Sequence, residues 1–261
     1  MREKIVFLLR EIVTTINNTI LDFIIGFLVS SHPEWNPRIW SNIELKKISK
    51  TISGSVVNVS AAEDDDKGGG KYKRYFPLAS AYDITNYGFG EEGTSISENE
   101  KILDLSVKYA GQYGRYDVVL NHTVLEHLKS IEIAIDNLCA LSNDLIITVV
   151  PFLMGFHGRT GGYSDYWRYS PMSLISEFDK RGFSTVYINW NTHHPLMNVY
   201  ILHIASKFPE RHVDYFDRVT LPIVNEYGPG VNFSSFIWGW GNEKGKSLSR
   251  KIGEAIGCRL V

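Results

Sequence analysis

Apolar positions along the chain follow two rhythms. Between residues 5 and 29, Ile5, Leu9, Ile12, Ile16, Ile20, Phe23 and Phe27 recur at three and four residues, with Arg10, Thr14, Asn17, Asn18 and Asp22 between them. That spacing predicts an amphipathic helix. The segment His32-Pro33-Glu34-Trp35-Asn36-Pro37 breaks it, because both prolines oppose continuation. A short helical stretch from about Arg38 to Lys50 follows. From Ser55 onward the apolar residues come in short continuous runs instead. Ser55–Val59, Ala79–Ile84, Lys101–Leu105, Tyr116–Leu120, Asp144–Val150 and Phe183–Trp190 each predict a strand. Val124–Leu141, with Leu125, Leu128, Ile131, Ile135 and Leu138 on one face, predicts a helix. Pro171–Arg181 predicts another, begun by its proline and ended by Gly182. Residues 61–70 are acidic and then glycine-rich, and 87–99 are polar; both read as loops. The last fifty residues, rich in Gly, Trp and Phe, show no assignable pattern.

Strands alternating with helices predict a doubly wound α/β fold. Unbroken apolar runs suit a mostly parallel sheet covered on both faces. The strand at 116–120, the helix after it and the strand at 144–150 form one right-handed crossover unit. The chain therefore divides into an N-terminal helical extension (1–50) and an α/β domain (51–261). In such folds ligands bind beyond the carboxyl ends of the strands.

The chain has 261 residues, 44% hydrophobic and 21% charged, which suits one soluble domain with an extension. Its net charge of -2 gives no general attraction for nucleic acid. Cys139 and Cys258 have neither metal-ligand spacing nor a disulfide pattern, which points to a reducing, cytoplasmic setting. The charges inside residues 5–29 oppose a membrane-spanning helix. That helix then packs on its own domain, on a second copy in a homo-oligomer, or peripherally on the inner membrane. His193-His194 lacks a third ligand, so no metal is expected. Gly68-Gly69-Gly70-Lys71 lacks the spacing of a phosphate loop.

Two blocks carry a resemblance. Tyr116-Asp117-Val118-Val119-Leu120-Asn121-His122, followed by Val124-Leu125-Glu126-His127, resembles the fourth-strand motif of class I S-adenosylmethionine-dependent methyltransferases. Ser164-Asp165-Tyr166-Trp167-Arg168-Tyr169-Ser170-Pro171 resembles a block of one branch of that family (methyltransferase type 11-like) found with bacterial glycan-biosynthesis enzymes. The resemblance covers about residues 55–190. It implies a Rossmann-like three-layer α/β sandwich and S-adenosylmethionine as cofactor. It also implies that Ser60 and Ala61 lie beside the methionine part and that Asp83 takes the ribose hydroxyls. Asp104 would meet the adenine, and Asn121 and His122 would line the pocket floor. One departure stands out. The family's glycine-rich turn after the first strand is here Ser60-Ala61-Ala62-Glu63-Asp64-Asp65-Asp66. The acidic run either receives the cofactor's amino group or is a solvated loop that has lost cofactor binding.

Methyl transfer to a hydroxyl needs an aligned acceptor and a base. His157 and Asp165 are the candidate bases. Arg168 is suited to an acceptor phosphate or carboxylate, or else to an internal salt bridge. Tyr163, Tyr166 and Trp167 offer flat faces for a sugar ring. Glu126 and His127, at the start of the predicted helix, are read as orienting the turn. Two functions follow: methyl transfer to a sugar or other small polar acceptor in bacterial surface-polysaccharide assembly, or a non-catalytic binding or scaffold module of the same fold in a glycan-assembly complex.

Overall fold

The computed structural model describes residues 19–20, 36–87, 101–154, 164–191 and 199–212. The helix expected at 5–29 (apart from residues 19–20), most of the 87–99 loop, His193-His194 and the last fifty residues apart from His212 lie outside them.

Seven strands form one sheet: β1 (Ser53–Val59), β2 (Leu78–Asn86), β3 (Lys101–Ile102), β4 (Tyr116–His122), β5 (Ser142–Leu153), β6 (Ser184–Trp190) and β7 (Val199–Ser206). Their order is β3-β2-β1-β4-β5-β7-β6. Each neighbouring pair from β3 through β5 is parallel, whereas β7 runs antiparallel between β5 and β6. This is the Rossmann-like, mostly parallel α/β sheet that the resemblance implies. Val57, Val119, Leu120, Ile146, Ile147 and Ile201 in its central strands have no exposed surface.

Among the described residues, three α-helices cover the sheet. Helix α1 (Pro37–Ser49) starts on Asn36, whose side-chain oxygen accepts the Arg38 and Ile39 amides at 2.9 and 3.2 Å. Pro37 fits the first turn because its missing N–H has no partner to lose there. Helices α2 (Ile131–Leu141) and α3 (Pro171–Asp179) contact each other. Side chains on β7 assign the faces. The Tyr200 ring lies under Arg38 of α1, whereas His203, three residues on, packs against Phe178 of α3. An odd offset along a strand reverses the face. Helix α1 therefore lies on one side of the sheet and α2 with α3 on the other, giving three layers. Gly182 ends α3 with φ +77°, a left-handed turn natural to glycine.

The structure departs from the sequence reading at several elements. Helix α1 packs on β7, and its Trp40, Leu45 and Ile48 join the main core, so residues 37–49 belong to the α/β domain rather than to an extension. The helix expected at 124–141 is instead a single 3-10 turn, Leu125–His127, followed by α2 from Ile131. Strand β5 runs through Pro151 to Leu153, past its last β4 partner Val149. Strand β7 had no sequence assignment. Among the described residues, no helix is long and apolar enough to cross a membrane.

The connection from β3 to β4 is held without a helix of its own. Asn137 of α2, 1% exposed, donates to the Leu105 and Val107 carbonyls at 3.0 and 2.8 Å and accepts the Tyr109 amide at 2.8 Å. Replacing it by alanine strands buried backbone groups. Asn137→Ala should cost about 2 kcal/mol or more in urea unfolding, and a loss under about 0.5 kcal/mol would show that the loop does not depend on it.

Candidate functional site

The carboxyl ends of β1, β4 and β5 meet at a polar cluster. Strand β1 leads into a turn in which Ser60, Ala62 and Asp64 have φ of +57°, +50° and +59°. Three alternate non-glycine residues thus hold left-handed geometry in one turn. An L-residue there costs about 1–2 kcal/mol. The turn is laced to β2: Ser60 N donates to Thr85 Oγ1, Ala61 N to Thr85 O at 3.0 Å, and Ala62 N to Asn86 Oδ1 at 2.6 Å.

The acidic run is neither open to a ligand nor solvated throughout. Asp64 and Asp66 are each 6% exposed. Asp64 accepts from Asn58 Nδ2, the Tyr82 hydroxyl and Lys73 N at 2.7–2.9 Å. Asp66 accepts Gly68 N, Gly70 N and the Tyr75 hydroxyl at 2.7–2.8 Å. Burial pushes the Asp66 carboxyl up, but these donors outweigh it and hold its pKa below the usual value. The two aspartates thus staple residues 60–77 into the crossover from β1 to β2, where a helix is the usual device. Asp64 and Asp66 are thus committed to internal partners, whereas Glu63 is exposed and Asp65 half-buried.

Arg38, in the first turn of α1, reaches the end of β4. Its guanidinium donates to His122 Nδ1 at 2.8 Å, Thr123 Oγ1 at 2.9 Å and the Tyr72 hydroxyl at 3.3 Å. A guanidinium only donates, so His122 Nδ1 accepts and its proton sits on Nε2, 3.1 Å from Ser41 Oγ. Ser41 in turn donates to the Arg38 carbonyl at 3.0 Å. Burial, with Arg38 beside it, holds the His122 pKa well below the ordinary histidine value. Among the described residues, the hydrogen-bond partners of Arg38 are all neutral.

The two motif blocks dock on each other just beyond β4. The Glu126 carbonyl accepts Tyr166 N at 2.8 Å and Trp167 N at 3.3 Å. The Leu125 carbonyl accepts the Tyr169 hydroxyl at 2.9 Å, and the Leu128 carbonyl accepts Trp167 Nε1 at 2.9 Å. His127 Nδ1 lies 3.0 Å from the Ser164 carbonyl. The orienting role read for Glu126 and His127 thus takes the form of these backbone contacts. The Glu126 side chain is another matter. It is buried in the short 3-10 turn, and that burial raises its pKa to about 8. Its Oε2 has no hydrogen-bond partner among the described residues, and neither does Oδ1 of fully buried Asn121.

The other sequence candidates fall as follows. Asp83 is not at the end of β2, which runs on to Asn86. It sits inside the strand, ion-paired with Lys101 and accepting the Tyr116 hydroxyl at 2.8 Å. Burial is again outweighed, and Lys101 and Tyr116 hold its pKa low. Asp104 closes a local turn, accepting Ser106 N and Oγ at 2.8 and 2.6 Å. Asp165 is fully buried at its side chain and grips Arg168 through both oxygens, which leaves neither residue open as a base or an acceptor anchor. Arg168 also donates to the Met154 and Trp167 carbonyls, so it ties the loop to the domain. Tyr166 and Trp167 are exposed, at 49% and 41%. His157 and Tyr163 lie outside the described residues. Those residues hold no group of three or more potential metal ligands. Arg38 was missed, yet it carried a signal: a cation in a helix's first turn opposes the dipole and so needs another partner.

No protein-family model and no curated protein matches the chain. Solved structures do. A 1,6-didemethyltoxoflavin-N1-methyltransferase of Burkholderia thailandensis, bound to its acceptor and S-adenosylhomocysteine, is 13% identical over 71% of this chain and 85% of its own, with a TM-score of 0.43. The N-methyltransferase NodS of Bradyrhizobium japonicum, with S-adenosylhomocysteine, is 14% identical over 66% of this chain and 88% of its own, with a TM-score of 0.45. The magnesium protoporphyrin IX methyltransferase of Synechocystis is 12% identical over 72% and 79%, with a TM-score of 0.38. The fold itself is defined by the strand order and register within this chain.

Two measurements check the geometry. Ala62→Gly relieves a left-handed alanine and should raise stability by about 1 kcal/mol in denaturant unfolding; a loss would mean that the turn is not held as described. The second is the pH profile. His122 and His203 (its pKa lowered to about 3 by burial) take up protons only on unfolding, so their contribution is complete above pH ~6.5 and fades as pH falls below it. Glu126, raised to about 8, works the other way, its contribution fading as pH rises from ~4.5 to 8. From these three groups stability should peak near pH ~6.5 and fall on either side by about 1.4 kcal/mol per pH unit. Glu126→Gln should abolish the decline above the peak and steepen the one below it; an unchanged alkaline limb would contradict the assignment.

Proposed function

We propose that the chain is an S-adenosylmethionine-dependent methyltransferase acting on a sugar or another small polar acceptor. The observation that carries this reading is the left-handed run at Ser60, Ala62 and Asp64, placed after β1 beside the buried, unpartnered oxygen of Asn121. Strain kept at the carboxyl end of a central strand is a mark of a functional turn. In this reading the backbone of Ser60 and Ala61 and the Asn121 side chain hold the cofactor, and Arg38 faces its carboxylate. When bound, the cofactor supplies a methyl group on a sulfonium. The chain's own part is to hold the acceptor, keep water out and take the acceptor's proton. Tyr166 and Trp167 offer the exposed ring faces, and His157 is the proposed base. The block from Asp165 to Tyr169 supports a setting in bacterial surface-polysaccharide assembly, on the cytoplasmic side of the membrane.

One set of contacts favours a second reading, a non-catalytic module of the same fold. Asp83 is locked to Lys101 and Tyr116, and Asn86 holds Ala62 from both sides, so the ribose has no free carboxylate at β2 among the described residues. Calorimetric titration with S-adenosylmethionine and S-adenosylhomocysteine separates the two. The enzyme reading expects micromolar binding of both, weakened about tenfold or more in Arg38→Ala, since a charge-assisted contact is worth about 1.5–3 kcal/mol. No heat at millimolar ligand would leave the module.

A further inference from the structure

A cavity of about 720 Å³ lies at the opposite end of the sheet from the site above, across the amino ends of β1, β4 and β5 and the segment that follows β7. It takes in Asp117 and Val118 at the start of β4 but none of the residues of the polar cluster beyond that strand. Gly54 on its wall lets the Asp117 side chain pack close: a Cβ there would meet the Asp117 carboxylate at 2.6 Å, and its φ of +101° suits glycine.

The charges around this cavity are unevenly committed. Its two carboxylates are spent internally. Asp117 accepts Ser55 N and Oγ at 2.8 and 2.9 Å, and those bonds hold its pKa low. Asp144 accepts from Ser206 Oγ and lies 2.9 Å from His212 Nε2. The cations are not spent in this way. Arg115 and Lys207 have no side-chain hydrogen bond or ion pair among the described residues. The Arg211 guanidinium rests on the Phe208 ring at 4.0 Å, a contact that leaves its N–H groups free to donate. Among the described residues, three cations with uncommitted donors thus face one concave space whose acids are already satisfied.

We propose that this cavity is a second ligand site, specific for a small soluble molecule bearing a phosphate or diphosphate. Guanidinium groups match phosphate oxygens in pairs, and a lysine adds a point charge. The volume lies within the range of small-molecule pockets, so it suits a nucleotide or a sugar phosphate. The inference does not depend on the methyltransferase reading, because the two sites share no residue.

The carbonyl ends of α1 and α2 point toward the same end of the sheet, and they offer the competing account. Cations placed there only to offset helix dipoles would bind no ligand. The test is calorimetric titration of the full chain with inorganic pyrophosphate and then ADP at constant ionic strength. The proposal expects saturable binding in both cases. It expects about tenfold or more weakening in Arg115→Ala/Lys207→Ala, whose exposed side chains leave the core intact. It also expects less than twofold change in Lys129→Ala, beyond β4 at the other end of the sheet. S-adenosylhomocysteine titration of the double variant should match the parent, whichever result the parent gives. No saturable heat with pyrophosphate, or equal weakening by Lys129→Ala, would overturn it. So would a double variant that binds normally but melts lower, since its cations would then serve only the helix ends.

Discussion

A neutral imidazole held between a guanidinium and a hydroxyl joins the first described helix to the centre of the sheet. His122 can fill that place only while Nδ1 is free to accept from Arg38 and Nε2 donates to Ser41. The contact draws Arg38 into the cluster beyond β4 and seats Trp40 and Leu45 in the core. Its cost is a buried base with a strongly lowered proton affinity and an arginine bonded to neutral groups. Both are tolerable because each donor meets an acceptor. The same contact explains why residues 37–49 are part of the α/β domain.

The region between β1 and β2 meets a related constraint by other means. A parallel pair needs a crossover, and the usual crossover is a helix. Here Asp64 and Asp66 take its place, drawing Asn58, Tyr82, Tyr75 and three backbone amides onto two carboxylates. The left-handed turn leading into that loop is therefore fixed from both sides, by β2 and by the aspartates. A strained turn held so firmly is already in the shape that a ligand would otherwise have to impose.

Much of this was legible from the residues. The runs at β1, β4 and β5 are apolar because both faces of the sheet are covered, and that pattern marks strands in a parallel sheet. Strand β7 is just as buried, yet Tyr200 and His203 interrupt its apolar run, and nothing local says that it runs antiparallel. The break between residues 127 and 131 was hidden for a different reason. The carbonyls of Leu125, Glu126 and Leu128 would serve the next helical turn, but Tyr169, Tyr166 and Trp167 claim them from forty residues away. Asp83 was misplaced because β2 runs two residues past its apolar stretch, through Thr85 to Asn86. The pairing of Asp165 with Arg168 was one of two roles open to the arginine, and only its surroundings decide between them.

The central claim is that the turn after β1, with Asn121 and Arg38, forms a ligand site. Its most direct measurement is the change in backbone amide NMR signals on addition of S-adenosylhomocysteine. The account predicts the largest shifts at Ser60, Ala61, Ala62 and Asn121, with little change at Ser55 and Lys207 at the other end of the sheet. Saturating ligand that leaves those four amides unmoved, or moves only signals elsewhere, would contradict it.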